Sequence, residues 1–141
     1  MILMPLFSCA GPRPTNLGVH HGRLAPCPSS PNCVSSDAND NTHAVRPFEL
    51  AVPPAEAWRV ARSLIADLPR THLVTATSEY IHAECSSAVF GFVDDLELHL
   101  RPAQKLIAVR SAARRGYGDF AVNRKRVENL RSLLLKQGVV R

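Results

Sequence analysis

LIAVRSAARRGYGDFAVNRKRVENLRSLLL (residues 106–135) decides the fold. Leu106 to Ala112 reads as a strand rich in β-branched and small apolar residues. Ala113 to Asp119 is a basic loop punctuated by Gly116 and Gly118. From Asn123 onward, Val127, Leu130 and Leu134 recur at helical spacing, and Gly138 stops the helix. Asn123 has the chemistry of an N-cap, with Val122 and Val127 at the spacing of a hydrophobic staple. Arg124, Lys125 and Arg126 fall in the first turn, where the macrodipole disfavours cations. Cations placed against a local rule point to a nearby carboxylate or anionic ligand; solvated surface arginines are the plainer alternative.

Working back from Leu106, Pro102 to Lys105 is a turn and Val93 to Leu100 is an alternating strand. Leu96, Leu98 and Leu100 share one face, and Asp95, Glu97 and His99 share the other. Matching the faces across a four-residue turn sets the register: Leu100 opposite Ile107, Leu98 opposite Val109, Glu97 opposite Arg110. Asp94, at the strand start, belongs to the apolar side. Ser87 to Phe92 is a loop. Leu73 to Thr77 and Tyr80 to Ser86 are two further strands joined by Ser78-Glu79. In the second, Ile81, Ala83 and Cys85 face one way, so Cys85 reads as a buried, inert thiol. Tyr80, His82 and Glu84 face the other. Ala55 to Leu68 places Trp58, Ala61, Leu64, Ile65 and Leu68 on one helical stripe, with Pro54 in the favoured first position and Pro69 as the stop. Trp58 is expected in the core. Phe48 to Val52 is a short strand ended by Pro53 and Pro54.

Residues 11–44 have another character. Pro12, Pro14, Pro26, Pro28 and Pro31 lie among Ser, Asn and Asp. Prolines at that density disfavour helix and central strand alike, so this is an extended arm, lying on the domain or trailing from an anchor. Cys27-Pro-Ser-Ser-Pro-Asn-Cys33 is turn-rich and short enough to close a disulfide. A zinc site would call for tighter Cys-x-x-Cys pairs. Asp37-Ala-Asn-Asp-Asn41 imitates the start of a calcium loop, but Thr42 replaces the turn glycine and Phe48 the bidentate glutamate. In residues 1–10, Leu6-Phe-Ser-Cys9 resembles a lipobox, which makes Cys9 a candidate lipidation site. The segment lacks a basic n-region, and Pro5 interrupts its short apolar run. The division is therefore 1–10 as a signal-like segment, 11–44 as the arm and 45–138 as the domain. The expected fold is α+β: an antiparallel sheet of about four to five strands with two helices packed on one face.

The chain of 141 residues carries a formal charge of +5 and a pI near 9.4, which favours anionic partners. No apolar run approaches the ~20 residues of a spanning helix. The lipobox and the cysteine pair point to the periplasm or cell envelope, as a lipoprotein if Cys9 is modified; without export the protein stays in the cytoplasm.

Four blocks in order resemble one family. They are Leu24-Ala-Pro-Cys-Pro-Ser-Ser-Pro-Asn-Cys-Val-Ser-Ser36, Tyr80-Ile-His-Ala-Glu84, Phe92-Val-Asp-Asp-Leu-Glu97 and the run from Val109 to Glu128. Together they look like the bacterial and plant domain-of-unknown-function family 1499 (DUF1499), over nearly the whole chain from Asn16 onward. The resemblance implies almost nothing about activity, and no cofactor is expected. It does imply an exported or lipid-anchored protein.

No catalytic signature is complete. There is no Ser/His/Asp motif, phosphate loop or dinucleotide fingerprint, and Ser111 lacks the nucleophile-elbow context. Three readings of the polar residues follow. Arg110, Arg114, Tyr117, Asp119, Asn123 and Arg124 converge as a polar network that either locks the last helix to the sheet or binds an anionic ligand or partner, since guanidinium forks match carboxylates and phosphates. His82, Glu84, Glu97 and His99 offer a divalent metal or acid–base site on the polar sheet face, against the plain alternative of an open, solvated face. The basic C-terminal third suits nucleic acid by charge, but lacks interleaved aromatics and any nucleic-acid-binding motif.

Overall fold

The computed structural model describes residues 11–88 and 90–141. The segment 1–10, with the lipobox reading of Cys9, lies outside them. In chain order the elements are β1 (Val19–His20), β2 (Arg23–Leu24), β3 (Cys33–Ser35), β4 (Phe48–Glu49), α1 (Pro54–Asp67), β5 (Thr71–Ala76), β6 (Tyr80–Ser86), β7 (Val93–Arg101), β8 (Leu106–Ala113) and α2 (Val122–Lys136), with a 3-10 turn at Pro102–Gln104. The fold is α+β. The main sheet runs β3-β8-β7-β6-β5, with β4 also paired to β8, and β1-β2 form a separate hairpin. The β7–β8 register is the expected one: Leu100↔Ile107, Leu98↔Val109, Glu97↔Arg110.

Six strands stand where four or five were expected. The addition is β3, inside the arm. Cys33-Val-Ser35 contains no proline, and an edge strand needs partners along one side only. It pairs with Ala112, Ser111 and Arg110 of β8, while β4 takes the other half of the same edge at Ile107 and Leu106.

Both helices cover the apolar face. Trp58, Ala61 and Ile65 of α1 join Val127, Leu130 and Leu134 of α2 over Ile81, Ala83, Leu96, Leu98, Ile107 and Val109. Trp58 is buried in this core as expected, and its indole N–H donates to Thr77 O at 2.8 Å. Past Gly138 (φ 70°), Val139 and Val140 fold back into the same core.

The start of α2 differs from expectation. Asn123 is not the N-cap; it sits inside the first turn, fully buried. The capping groups come from Asp119, whose Oδ1 accepts the Ala121 N–H at 2.9 Å and whose Oδ2 accepts the Asn123 N–H at 3.1 Å. Phe120 and Ala121 between them adopt left-handed backbone, φ 52° and 62°. That turn swings Val122 out to solvent, so Val122 does not staple onto Val127.

The polar face of the sheet is not open solvent either. The arm lies on it. Gly18 N–H donates to Glu97 Oε1 at 2.7 Å. Arg101 forks onto Asp37 at 2.8 and 2.7 Å, and Asp37 also accepts the Leu24 N–H. Burial alone would raise Asp37, but the hydrogen bonds and charge of Arg101 outweigh it and hold the carboxyl below its ordinary range. The Cys27–Cys33 disulfide closes a loop within this arm. Closing a loop that short removes ~2 kcal/mol of unfolded-chain entropy. Replacing both cysteines with serine should lower stability by about that amount in urea titrations, with proteolysis beginning in the arm.

Candidate functional site

Alternation along β6, β7 and β8 points His82, Glu84, Asp95, Glu97, Arg110 and Arg114 at the arm. They form a charged layer shut between arm and sheet. Arg114 Nε donates to Asp95 Oδ2, and its Nη2 to Asp95 Oδ1 and Glu84 Oε2, each at 2.8 Å. His82 Nε2 lies 2.7 Å from Asp95 Oδ1, and Arg13 of the arm pairs with the other oxygen of Glu84. Burial pushes Asp95 up, but hydrogen bonds from Arg114 and His82 and the Arg114 charge more than offset it, so the carboxyl stays below the usual range. Glu84 is lowered likewise against its own desolvation, by Arg13 and Arg114. The hydrogen bond to Asp95 leads the causes that raise Arg114. These charges are fixed around neutral pH.

Arg110 is placed differently. Its neighbour Glu97 is fully buried and already serves Gly18 N–H and the Tyr80 hydroxyl, the latter at 2.6 Å. Burial, followed by that hydrogen bond, raises the Tyr80 phenol. Arg110 reaches Glu97 Oε2 only at 3.4 Å and Pro26 O only at 3.3 Å. Its Nε, also buried, has no hydrogen-bond partner among the described residues. Buried guanidinium donors are ordinarily satisfied, and the forks of Arg114 and Arg101 show how tight such contacts are elsewhere in this molecule.

Arg110 lines a cleft of about 370 Å³ between arm and sheet. Asp95, Arg114, Ala112 and Ala113 complete the sheet side, and Pro14, Asn16 and Pro26 to Pro28 form the arm side. A larger groove of about 630 Å³ lies beside Trp58 and Thr77, but no buried charged side chain lines it.

The residues grouped from sequence separate into two clusters on opposite faces of the sheet. Arg110 and Arg114 face the cleft. Asp119 and Asn123 lie under α2, where Ser111 Oγ donates to Asn123 Oδ1 at 2.7 Å and Arg126 donates to the same oxygen at 2.8 Å. Arg126 also pairs with Asp94 at 2.9 Å. Desolvation raises Asp94, with Arg126 offsetting only part of it. Of the three first-turn cations, Arg126 thus meets a carboxylate. Arg124 donates to the carbonyls of Ala44 and Thr42 at 2.9 and 3.1 Å, tying helix to arm. Tyr117 is exposed and belongs to neither cluster. The separation has one cause: adjacent residues of a strand face opposite ways, so Arg110 and Ser111 cannot share a site.

The alternative set His82, Glu84, Glu97 and His99 is committed to protein partners. His99 accepts from Arg101 Nε at 3.0 Å, and burial and the Arg101 charge lower it. No group of three or more His, Cys, Asp or Glu among the described residues is arranged to hold a metal ion. Cys85 is a free, buried thiol pushed up by desolvation. No helix among the described residues is long and apolar enough to cross a membrane. Arg13, Gly18, Pro26, Asp37 and Arg101, which bind arm to sheet, carried no local signal in sequence, because their partners lie tens of residues away.

A family model described as a protein of unknown function, DUF1499, matches residues 23–134. The chain belongs to the DUF1499 family. No curated protein matches it, and no solved structure does. Within this DUF1499 chain the matched region takes in the disulfide loop, the Pro26–Pro28 side of the cleft, its whole sheet side and most of α2. Arg13, Pro14, Asn16 and Gly18 precede it.

Proposed function

We propose that this DUF1499 protein is a non-catalytic binding module of the cell envelope, taking a small anionic ligand in the arm–sheet cleft. One observation carries the reading: Arg110 is buried, lines the cleft, and holds its neighbours only at long range, with Nε unpartnered. A carboxylate or phosphate oxygen there would supply the charge-assisted hydrogen bonds that Arg114 and Arg101 already possess. The envelope location is supported by the Cys27–Cys33 bond, of a kind that persists in oxidising compartments, and by the lipobox-like Leu6 to Cys9. The acid–base reading has less support, because His82, Glu84, Glu97 and His99 have protein partners.

Thermal melts of the 141-residue protein with acetate, succinate or inorganic phosphate test the proposal. A ligand at a hundred times its Kd stabilises the fold by ~2.7 kcal/mol, a rise of several degrees in Tm. Arg110→Lys keeps the charge but loses the planar fork, and should weaken binding at least tenfold. Ala112→Leu fills the cleft while leaving Arg110 in place and should do the same. No shift with any of the three anions, or equal shifts in wild type and both variants, would overturn the proposal.

A further inference from the structure

The chain has eight aromatic residues, counting Phe, Tyr and Trp, and seven lie among the described residues. Phe48 and Trp58 are buried and Tyr80 is half-buried. The other four are exposed: Phe90 67%, Phe92 45%, Tyr117 73% and Phe120 94%. All four stand on two loops, the β6–β7 connection and the β8–α2 connection. Asp94 pairs with Ala113 and Arg114 N–H donates to Val93 O, so both loops leave the same end of the sheet. Exposed aromatics confined to one end mark an interaction surface rather than scattered surface apolarity. Phe120 is held outward by left-handed backbone (φ 52°), a region bulky residues avoid, and the Asp119 carboxylate pins the turn.

The charges at this end are complementary to an anionic surface. Arg115 and Lys125 are exposed. The nearby carboxylates are occupied: Asp94 pairs with Arg126, Asp119 caps α2 and Glu84 pairs with Arg114. Arg70, whose carbonyl accepts the Ser86 N–H, also lies here, and both it and Asp67 are exposed. The chain enters the domain at the same end. A Cβ placed on Gly11 would lie 2.9 Å from Arg115 Nε, and the ten residues before it, Met1-Ile-Leu-Met-Pro-Leu-Phe-Ser-Cys-Ala10, carry no charged side chain.

We infer that this end of the sheet docks on an anionic lipid bilayer. Phe90, Phe92, Tyr117 and Phe120 enter the headgroup boundary, where aromatic side chains partition. Arg115 and Lys125 meet the lipid phosphates. The inference is independent of the cleft. It also sets a geometry: Gly11, beside Arg115, lies at the same end as the aromatic loops.

Co-sedimentation of the 141-residue protein with vesicles of phosphatidylglycerol and phosphatidylethanolamine tests it, against vesicles of phosphatidylcholine alone. Binding to the anionic vesicles should weaken as salt is raised. The triple variant F90S/F92S/F120S should bind at least tenfold more weakly, and R115Q/K125Q should lose roughly tenfold or more. Leu135→Ser, at an exposed apolar position near the other end of α2, should bind as wild type. These positions are exposed, and unchanged melting of each variant would show that it folds. Equal binding by wild type and the triple variant would overturn the inference, since the aromatic loops would then add nothing to attachment. So would absence of vesicle binding, or a dimer in sedimentation velocity that the triple variant abolishes while vesicles bind neither protein.

Discussion

Arg114→Ala is expected to lower the free energy of unfolding by about 3–5 kcal/mol at neutral pH, the usual cost of stripping one partner from a buried ion pair. The side chains of Arg114 and Asp95 are 5% and 1% exposed, so water cannot replace what is lost. A domain of this size is stable by only about 5–15 kcal/mol. Urea titration would show the midpoint falling at unchanged slope. Arg124→Ala should cost only about 1 kcal/mol, because its partners are two carbonyls at the helix–arm boundary and its side chain is partly exposed. The pH dependence separates this account from a packing defect. In the wild type, Asp95 is held below its unfolded value, so its contribution is present above about pH 4 and is lost as pH falls through the folded pKa. Without Arg114, only His82 is left to oppose the desolvation of the carboxyl. The variant is then penalised while Asp95 is ionised and recovers as it protonates. The gap between wild type and variant should therefore narrow on acidification. A gap that is constant with pH, or below about 1 kcal/mol at neutral pH, would mean that the charged layer does not hold the sheet and arm together.

What could be read from the sequence, and what could not, divides along the range of the interactions. The β7–β8 register follows from alternation and one short turn, both local. So does the N-terminus of α1, where Pro54 and the Trp58 stripe agree. The two faces of β6, β7 and β8 were equally legible. The fate of the polar face was not. Antiparallel sheets commonly leave one face to water, and nothing in His82, Glu84 or Glu97 states that Gly18 and Arg13 will lie over them. The arm read as extended, with nothing to say where it lies, because its prolines argue against long elements. It is held instead by single contacts such as Arg101–Asp37, across 64 residues of chain, which no periodicity encodes. The candidate site had the same fate. Arg110 and Arg114 were singled out as guanidinium forks suited to an anionic ligand, but the arm residues that close the cleft around them were not. Asn123 was misplaced by one turn chemistry: Asp119 reached the helix start first, through a left-handed turn at Phe120 and Ala121 that no β-branched or glycine signal announced.

That misplacement gives the second large effect. Asn123→Ala is expected to cost about 2–4 kcal/mol, from lost buried hydrogen bonds and the space left behind. The amide joins four segments. Its Oδ1 accepts from Ser111 of β8 and from Arg126. Its Nδ2 donates to Asn32 O in the arm at 3.2 Å and to Asp119 Oδ2 at 2.8 Å. A residue serving only as an N-cap would cost ~1 kcal/mol, so the magnitude itself decides between the two roles. Asn123→Asp should be worse at neutral pH, roughly 3–5 kcal/mol. It sets a second carboxylate against Asp119 and the Asn32 carbonyl, and competes with Asp94 for Arg126. Burial and the Asp119 charge would raise the new carboxyl. Its penalty is therefore present above about pH 4 and is relieved as pH falls through the raised value, bringing the Asp variant toward the Ala variant in acid. The Asn32 carbonyl also accepts the Ala113 N–H at 3.0 Å. Loosening the arm there should speed amide exchange at Ala113 in both variants, while amides inside β6 keep their protection. If Asn123→Ala melts within half a kcal/mol of wild type, roughly the scatter of neutral surface changes, then α2 is held by its apolar stripe alone and the amide joint adds nothing to the attachment of the arm.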